Sequence, residues 1–374
     1  MKVSLTQATE AATPADSRPP LLRAAQDTPT ALWNDSADPK ELAQSIAFGA
    51  VGATCNPVIA LTAIQQNPDI WLPRLAELAA EYPTATEDWL GWKAVEELSI
   101  QAAALLEPIF HEQNGRNGRL SIQTDPRFHR SAEKLVEQTL YFDTLAPNII
   151  VKIPAVAAGI EAIEEVTYRG VSINATVSFS VPQALAVGAA VERGLQRREA
   201  EGLDISTMGP VCTIMGGRLD DWIKFVAARD NIVLTEPGYF EWAGVAALKK
   251  GYEVFKQRGY RTRILSAAFR NTLQWSELVG GDLVVSPPFA WQKLINANPL
   301  TGESRIDIPV EQHIIDELYE RIPDFRRAYD EDGLTVDEFA TFGPTARTLR
   351  QFLAANNTLE ALVRDVVVPN PDKK

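Results

Sequence analysis

The sequence predicts an α/β protein folded as a closed (β/α)8 barrel, with extra helices at its C-terminal end and a disordered N-terminal arm. Three observations carry that expectation. From residue 30 to about 297, short apolar or alternating segments alternate with longer helical ones, an order that implies parallel strands joined by crossover helices. About eight such units in roughly 270 residues fit a closed barrel better than an open doubly wound sheet. No GxGxxG opens a helix after the first strand, which counts against a dinucleotide-binding fold.

Residues 1–29 are rich in Ala, Thr, Pro and charge without a hydrophobic period, and are expected to form the flexible arm. Residues 30–374 read as one barrel domain, with 298–374 as a helical extension. The candidate strands are 30–35, 50–55, 119–124, 148–153, 171–178, 206–214, 262–268 and 282–286. Helical stretches include 131–145, 157–168, 182–200, 241–257 and 271–279. The stretch 70–113 exceeds one crossover helix and is expected to hold two or three, and 310–367 reads as helices packed outside the barrel.

A net charge of −13 argues against nucleic acid or an anionic membrane as partner, because either needs a basic footprint. The charge does not exclude an anionic substrate, since a local pair of arginines outweighs distant charge. The two cysteines, Cys55 and Cys212, are too few for a disulfide framework. No apolar run reaches the ~18 residues of a membrane span, and the N-terminus lacks the apolar core of a signal peptide. These features lead us to expect a cytoplasmic protein.

Strand periodicity sorts side chains onto two faces. Val171, Ile173, Ala175 and Val177 oppose Ser172, Asn174, Thr176 and Ser178. Ile149, Val151 and Ile153 oppose Ile150 and Lys152. Leu120, Ile122 and Thr124 oppose Ser121, Gln123 and Asp125, while Leu265, Ala267 and Phe269 oppose Ile264, Ser266, Ala268 and Arg270. In a helix-wrapped barrel the first face of each strand meets the helices and the second points inward, where barrel enzymes place their chemistry near the strand C-termini.

Lys152, within IIVKIPA, is the first anomaly, because lysine is rarely buried without a partner. A desolvated lysine has a lowered pKa and becomes a usable amine nucleophile, as Schiff-base chemistry requires. A lysine at a strand end reaching into solvent is the bland alternative. Asp35, Gln123, Asn174 and Thr176 lie on inward faces or strand ends. Asp38, before Pro39, is a better helix-cap candidate than Asp35. Arg218 and Arg270 follow two later strands, where a phosphate would be held by paired N–H bonds; a solvated surface arginine is the usual reading of each alone. Asp220 and Asp221 read as a helix N-terminus satisfying the dipole. His111, His129 and His313, without HxxxH or CxxC spacing, offer no metal site. Cys55 reads as a small buried hydrophobe, and Trp71, Trp89 and Trp92 as packing residues.

The segments ATCNPVI (53–59), GRLSIQTDPR (118–127), NIIVKIPAVAAGIEAI (148–163), VSINATVSFSVPQAL (171–185), GGRLDDW (216–222) and SAAFRN (266–271) resemble transaldolase motifs. They occur in that family's order at compatible spacing over about residues 30–297. The resemblance implies a Schiff-base lysine at Lys152 and an acid–base aspartate at Asp35. It implies that Asn56 and Asn174 hydrogen-bond a dihydroxyacetone unit and that Thr176 positions the catalytic water. It implies that Arg218 and Arg270 hold the phosphate, with Thr213 near another substrate-binding position. The implied activity is transfer of a dihydroxyacetone unit from a ketose phosphate to an aldose phosphate, in the pentose phosphate pathway, with no cofactor because the iminium is the electron sink.

Three positions depart from the family pattern. Gln123 stands where a glutamate is usual, and a glutamine orients water but accepts no proton; fructose-6-phosphate aldolases of the same superfamily are similar in this respect. Ala268 replaces a phosphate-assisting serine, and Thr213 stands near another serine position. Gln123 therefore keeps a second activity open, an aldolase releasing free dihydroxyacetone, although Met215 occupies a stretch where that subgroup tends to carry tyrosine. A third reading is a catalytically impaired barrel acting as a binding protein. The helices of 310–367 also offer a surface for a homodimer.

Overall fold

The computed structural model describes residues 17–298 and 303–372. Eight parallel strands close into a (β/α)8 TIM barrel in sequence order. They are β1 (Ala31–Asn34), β2 (Ala50–Thr54), β3 (Arg119–Gln123), β4 (Ile149–Pro154), β5 (Ile173–Thr176), β6 (Val211–Ile214), β7 (Arg263–Ala267) and β8 (Val284–Ser286). The sheet closes through β1 and β8, with Leu32 beside Val285.

The crossover helices begin where side chains satisfy their first N–H groups. Asp38 accepts from Lys40 and Glu41 N–H, Asn56 from Val58 and Ile59, Ser131 from Lys134 and Ser180 from Gln183. Proline at the first helical position, as in Pro39 and Pro57, supplies a pre-set φ where no N–H is needed. The long stretch after β2 folds as Pro57–Gln66, Pro68–Glu81 and Glu87–Glu112. The C-terminal extension contains helices Gln312–Arg321, Pro323–Tyr329 and Gly343–Val367.

Packing separates into two shells. Ala31, Trp33, Ile150, Val211, Leu265, Ala267 and Val284 fill the barrel interior, while a much larger apolar layer lies between strands and helices. Trp33 fits because Gly52 faces it: a Cβ at residue 52 would sit 2.5 Å from the indole. Arg119 and Arg263, at the N-terminal ends of β3 and β7, are buried at that end of the barrel. Arg119 donates to the carbonyls of Gly115 and Thr207, and Arg263 to that of Arg116.

Several expectations need correction. On β7 the interior residues are Leu265 and Ala267, whereas Ile264 belongs to the outer layer, so Ser266 faces the helices with its hydroxyl unpaired. Both faces of this strand are mostly apolar, and one small serine does not mark the inner one. Part of the expected arm is folded: Pro20–Asp27 is a helix with Leu21 and Ala24 buried, and Leu21 N–H donates to Asn296 Oδ1. Its apolar residues at 20, 21 and 24 have helical spacing; residues 1–16 lie outside the described residues. Strand 206–214 shortens to Val211–Ile214, and helix 271–279 to Leu273–Ser276. Trp89 is exposed rather than packed inside, against Tyr82. Asp220 is fully buried, accepting from Gly244 N–H and Gln274 Nε2, so it ties elements together instead of facing the dipole from solvent.

Substituting Gly52→Ala should overpack the barrel against Trp33 and lower stability by about 1–3 kcal/mol. Urea unfolding followed by tryptophan fluorescence measures this; an unchanged midpoint would contradict the packing.

Candidate active site

The parallel register aligns Gln123 of β3, Lys152 of β4 and Asn174 of β5 as lateral neighbours. All three are inward-facing and buried, with Lys152 only 3% exposed. Asn174 is held on both sides: its Nδ2 donates to Ser121 Oγ at 3.1 Å, and its Oδ1 accepts from Thr213 Oγ1 at 2.7 Å. Gln123 Oε1 and the hydroxyls of Thr176 and Ser178 are buried without a hydrogen-bond partner. Unpaired buried polar groups are costly in a folded protein and mark places where a ligand or water completes the bonding.

Burial pushes the Lys152 amine below the range of a free lysine, and the Arg218 charge acts the same way, against the opposing effects of Asp35 and Cys55. The other buried lysine, Lys249, shows what a structural lysine looks like. Its Nζ donates to Glu277 and to the carbonyls of Arg305 and Ile308. Lys152 Nζ makes no hydrogen bond or ion pair among the described residues. Cys55, pushed up to about 12 by burial, is a protonated thiol at neutral pH and no nucleophile.

Asp35 follows β1 and is presented by its neighbours. Asn34 donates to Ser36 O and accepts from Gln292 Nε2, Asp35 N–H bonds Pro287 O, and Asp38 caps the next helix. The chain is thereby anchored on both sides of Asp35, whose Oδ1 accepts from Thr54 Oγ1 at 2.5 Å. Asn56 spends its Oδ1 on the helix cap, leaving its amide hydrogens available. It lines a small cavity with Cys55, Trp92, Gln123, Asn356 and Leu359.

Beyond β5, Val177 adopts φ 52°, an unfavourable conformation for a β-branched residue. Gln183 holds that turn: it donates to Val177 O, Ala155 O and Thr345 Oγ1 and accepts from Phe179 N–H. Beyond β7, Ala268 adopts φ 63°, and its carbonyl approaches Gly217 so closely that a Cβ there would lie 1.8 Å away. Arg218, in the first turn of helix Gly216–Arg229, and Arg270, just past Ala268, are thus brought to one rim. Burial and then the Arg270 charge lower the Arg218 pKa. Arg270 Nε pairs with Asp221. Helix Gly343–Val367 runs along this rim, with Thr345 at Gln183, Thr348 and Gln351 at Arg218, and Leu359 over the cavity beside Asn56.

A family model described as transaldolase/fructose-6-phosphate aldolase matches residues 32–362. The chain belongs to that family. It is 30% identical over 290 residues to Transaldolase 1 of Streptomyces avermitilis, covering 70% of this chain and 76% of that protein. It is 26% identical over 321 residues to the transaldolase of Thiobacillus denitrificans, covering 83% and 86%, and 30% identical over 298 residues to Transaldolase 2 of Streptomyces coelicolor, covering 72% and 79%.

In this family member the residues expected to form the site lie in the barrel interior or on the segments that follow the strands. Lys152, Gln123, Asn174, Thr213 and Thr176 form the interior group, Asp35 and Asn56 one side of the rim, and Arg218 and Arg270 another. Sequence reasoning missed the supports. Ser121 was on the correct face but carried no separate signal. Thr54 is placed by closure of β1 against β2, and Thr348 and Gln351 come from a helix more than 120 residues away from Arg218.

The lowered Lys152 pKa has a definite sign: the free amine appears at lower pH than in exposed lysines. NMR titration of dimethylated lysines should show Lys152 losing its proton below the free-lysine range. Asp35→Asn should lower it further, because the carboxylate favours the ammonium. Titration of Lys152 with the exposed lysines would refute this. Gln183→Leu should destabilise the fold by at least about 1–3 kcal/mol through orphaned buried groups, measured by urea denaturation.

Proposed function

We propose that this protein is a transaldolase that moves a dihydroxyacetone unit from a ketose phosphate to an aldose phosphate through a Schiff base on Lys152. The observation that carries the reading is the row Gln123–Lys152–Asn174, in which a buried, unpaired amine stands between two amides below a pair of arginines. The names of the relatives support the same activity.

In this mechanism the neutral Lys152 amine attacks the ketone carbon, and loss of water from the carbinolamine forms the iminium. Thr176 and Gln123 orient the water that shuttles protons, using polar atoms that lack partners inside the protein. Asp35 accepts the proton of the hydroxyl next to the breaking bond. The carbon–carbon bond cleaves with its electrons passing to the iminium, giving an enamine and a free aldose phosphate. Asn174 and Asn56 hold the three-carbon unit, Thr213 fixes Asn174, and Arg218 with Arg270 binds the phosphate. Attack of the enamine on a second aldehyde and hydrolysis of the new iminium restore Lys152. We extend the reading to a cytoplasmic enzyme of the pentose phosphate pathway.

Gln123 favours a second reading, in which a proton from water adds to the enamine carbon and hydrolysis of the resulting iminium releases free dihydroxyacetone and restores Lys152. Glutamine orients water without taking its proton.

Borohydride trapping with fructose 6-phosphate, read by intact mass and peptide mapping, tests both. A reduced adduct on Lys152 that diminishes when erythrose 4-phosphate is added supports transfer. An adduct indifferent to the acceptor, with free dihydroxyacetone accumulating, supports the aldolase. Lys152→Ala should abolish turnover while leaving the circular dichroism spectrum intact, and retained full activity would sink the mechanism.

A further inference from the structure

The two rim arginines are held in unlike ways. Arg270 Nε is paired with the Asp221 carboxylate. Arg218 Nη1 instead donates to two uncharged acceptors on helix Gly343–Val367, Thr348 Oγ1 at 3.2 Å and Gln351 Oε1. Thr348 and Gln351 are one helical turn apart, so both reach the same nitrogen. The guanidinium carbon also lies 5.6 Å from the Phe352 ring centroid. Asp35 and Asp221 act on Arg218 only through space. Its Nε and Nη2, which lie along one edge of the guanidinium, make no hydrogen bond among the described residues. Such an edge offers two parallel N–H groups, the geometry that takes two oxygens of a phosphate.

We propose that Thr348 and Gln351 are positioning residues of the anion subsite, aiming Arg218 into the barrel mouth while leaving its Nε–Nη2 edge without a carboxylate contact and open to the substrate phosphate. The inference rests on the reading of Arg218 as a phosphate ligand. A neutral acceptor fixes the guanidinium without cancelling the field that attracts a dianion, whereas a carboxylate at the same place would do both. Because Ala268 supplies no hydroxyl, the subsite depends more heavily on how Arg218 is held. The C-terminal helix is then part of the substrate site and not only a cover.

The test is the affinity of the full-length protein for inorganic phosphate, by calorimetry, in wild type, Gln351→Glu, Gln351→Met and Thr348→Val. Gln351 is exposed, so its replacement leaves the core untouched. The isosteric carboxylate of Gln351→Glu should weaken binding about tenfold or more by pairing with Arg218. Gln351→Met, which only loses the acceptor, should weaken it less, and with fructose 6-phosphate the losses should fall on KM more than on kcat. A merely structural role would make the Met variant at least as harmful as the Glu variant. Thermal midpoints check folding, and Thr348→Val serves if Gln351→Glu is unstable. Equal phosphate affinity in wild type and a folded Gln351→Glu overturns the inference while leaving the anion site in place. No phosphate binding by the wild type overturns the anion-site reading itself.

Discussion

The register of β4 between β3 and β5 is the constraint on which the rest of the site depends. Side chains alternate with a period of two along a strand, so a slip of one residue would send Lys152 into the apolar layer under the helices and bring Val151 or Ile153 inward. Nothing local prevents such a slip. Barrel closure does, because β4 must bury Ile149, Val151 and Ile153 against helices on one side while Ile150 joins Trp33 and Leu265 on the other. The apolar faces thus choose the position of the one polar residue among them.

Closure also sets the electrostatics. A lysine in the middle of a closed barrel is surrounded by low-dielectric side chains, and its ammonium form loses hydration that no carboxylate contact replaces. The protein tolerates this because the amine can shed its proton: burial lowers the Lys152 pKa, and Asp35, hydrogen-bonded to Thr54, opposes that shift only through space. Lys249 shows the opposite solution, with a carboxylate and two carbonyls gathered around the ammonium. Burial lowers the pKa of both lysines and they differ little in exposure; they differ in partners, which surround Lys249 and are absent around Lys152 among the described residues.

Much of this was legible in the sequence because the barrel imposes strict alternation on short strands. Ser121, Gln123, Lys152, Asn174 and Thr176 could be placed on the inner face from periodicity alone. The same rule failed at β7, where apolar residues occupy both faces and Ser266 pointed to the wrong one. The helix at Pro20–Asp27 was hidden in a segment whose composition resembles disorder, although Leu21 and Ala24 have the spacing of a docked helix. The neighbours of Asp35 and Arg218 were out of reach for a different reason. Thr54, Gln292 and Gln351 come from separate parts of the chain, and only closure of the fold brings them together.

The rim has an order of assembly built into it. Helix Gly343–Val367 follows all eight strands in the chain, yet it contacts loops that emerge after β2, β5 and β6. During synthesis all eight strands are made before this helix, so the two acceptors of Arg218 are the last part of the rim to be made. Until the helix is made the Arg218 guanidinium has neither Thr348 nor Gln351 to accept from it. Completion of the rim therefore waits on the last described helix of the chain, whichever strands pair first.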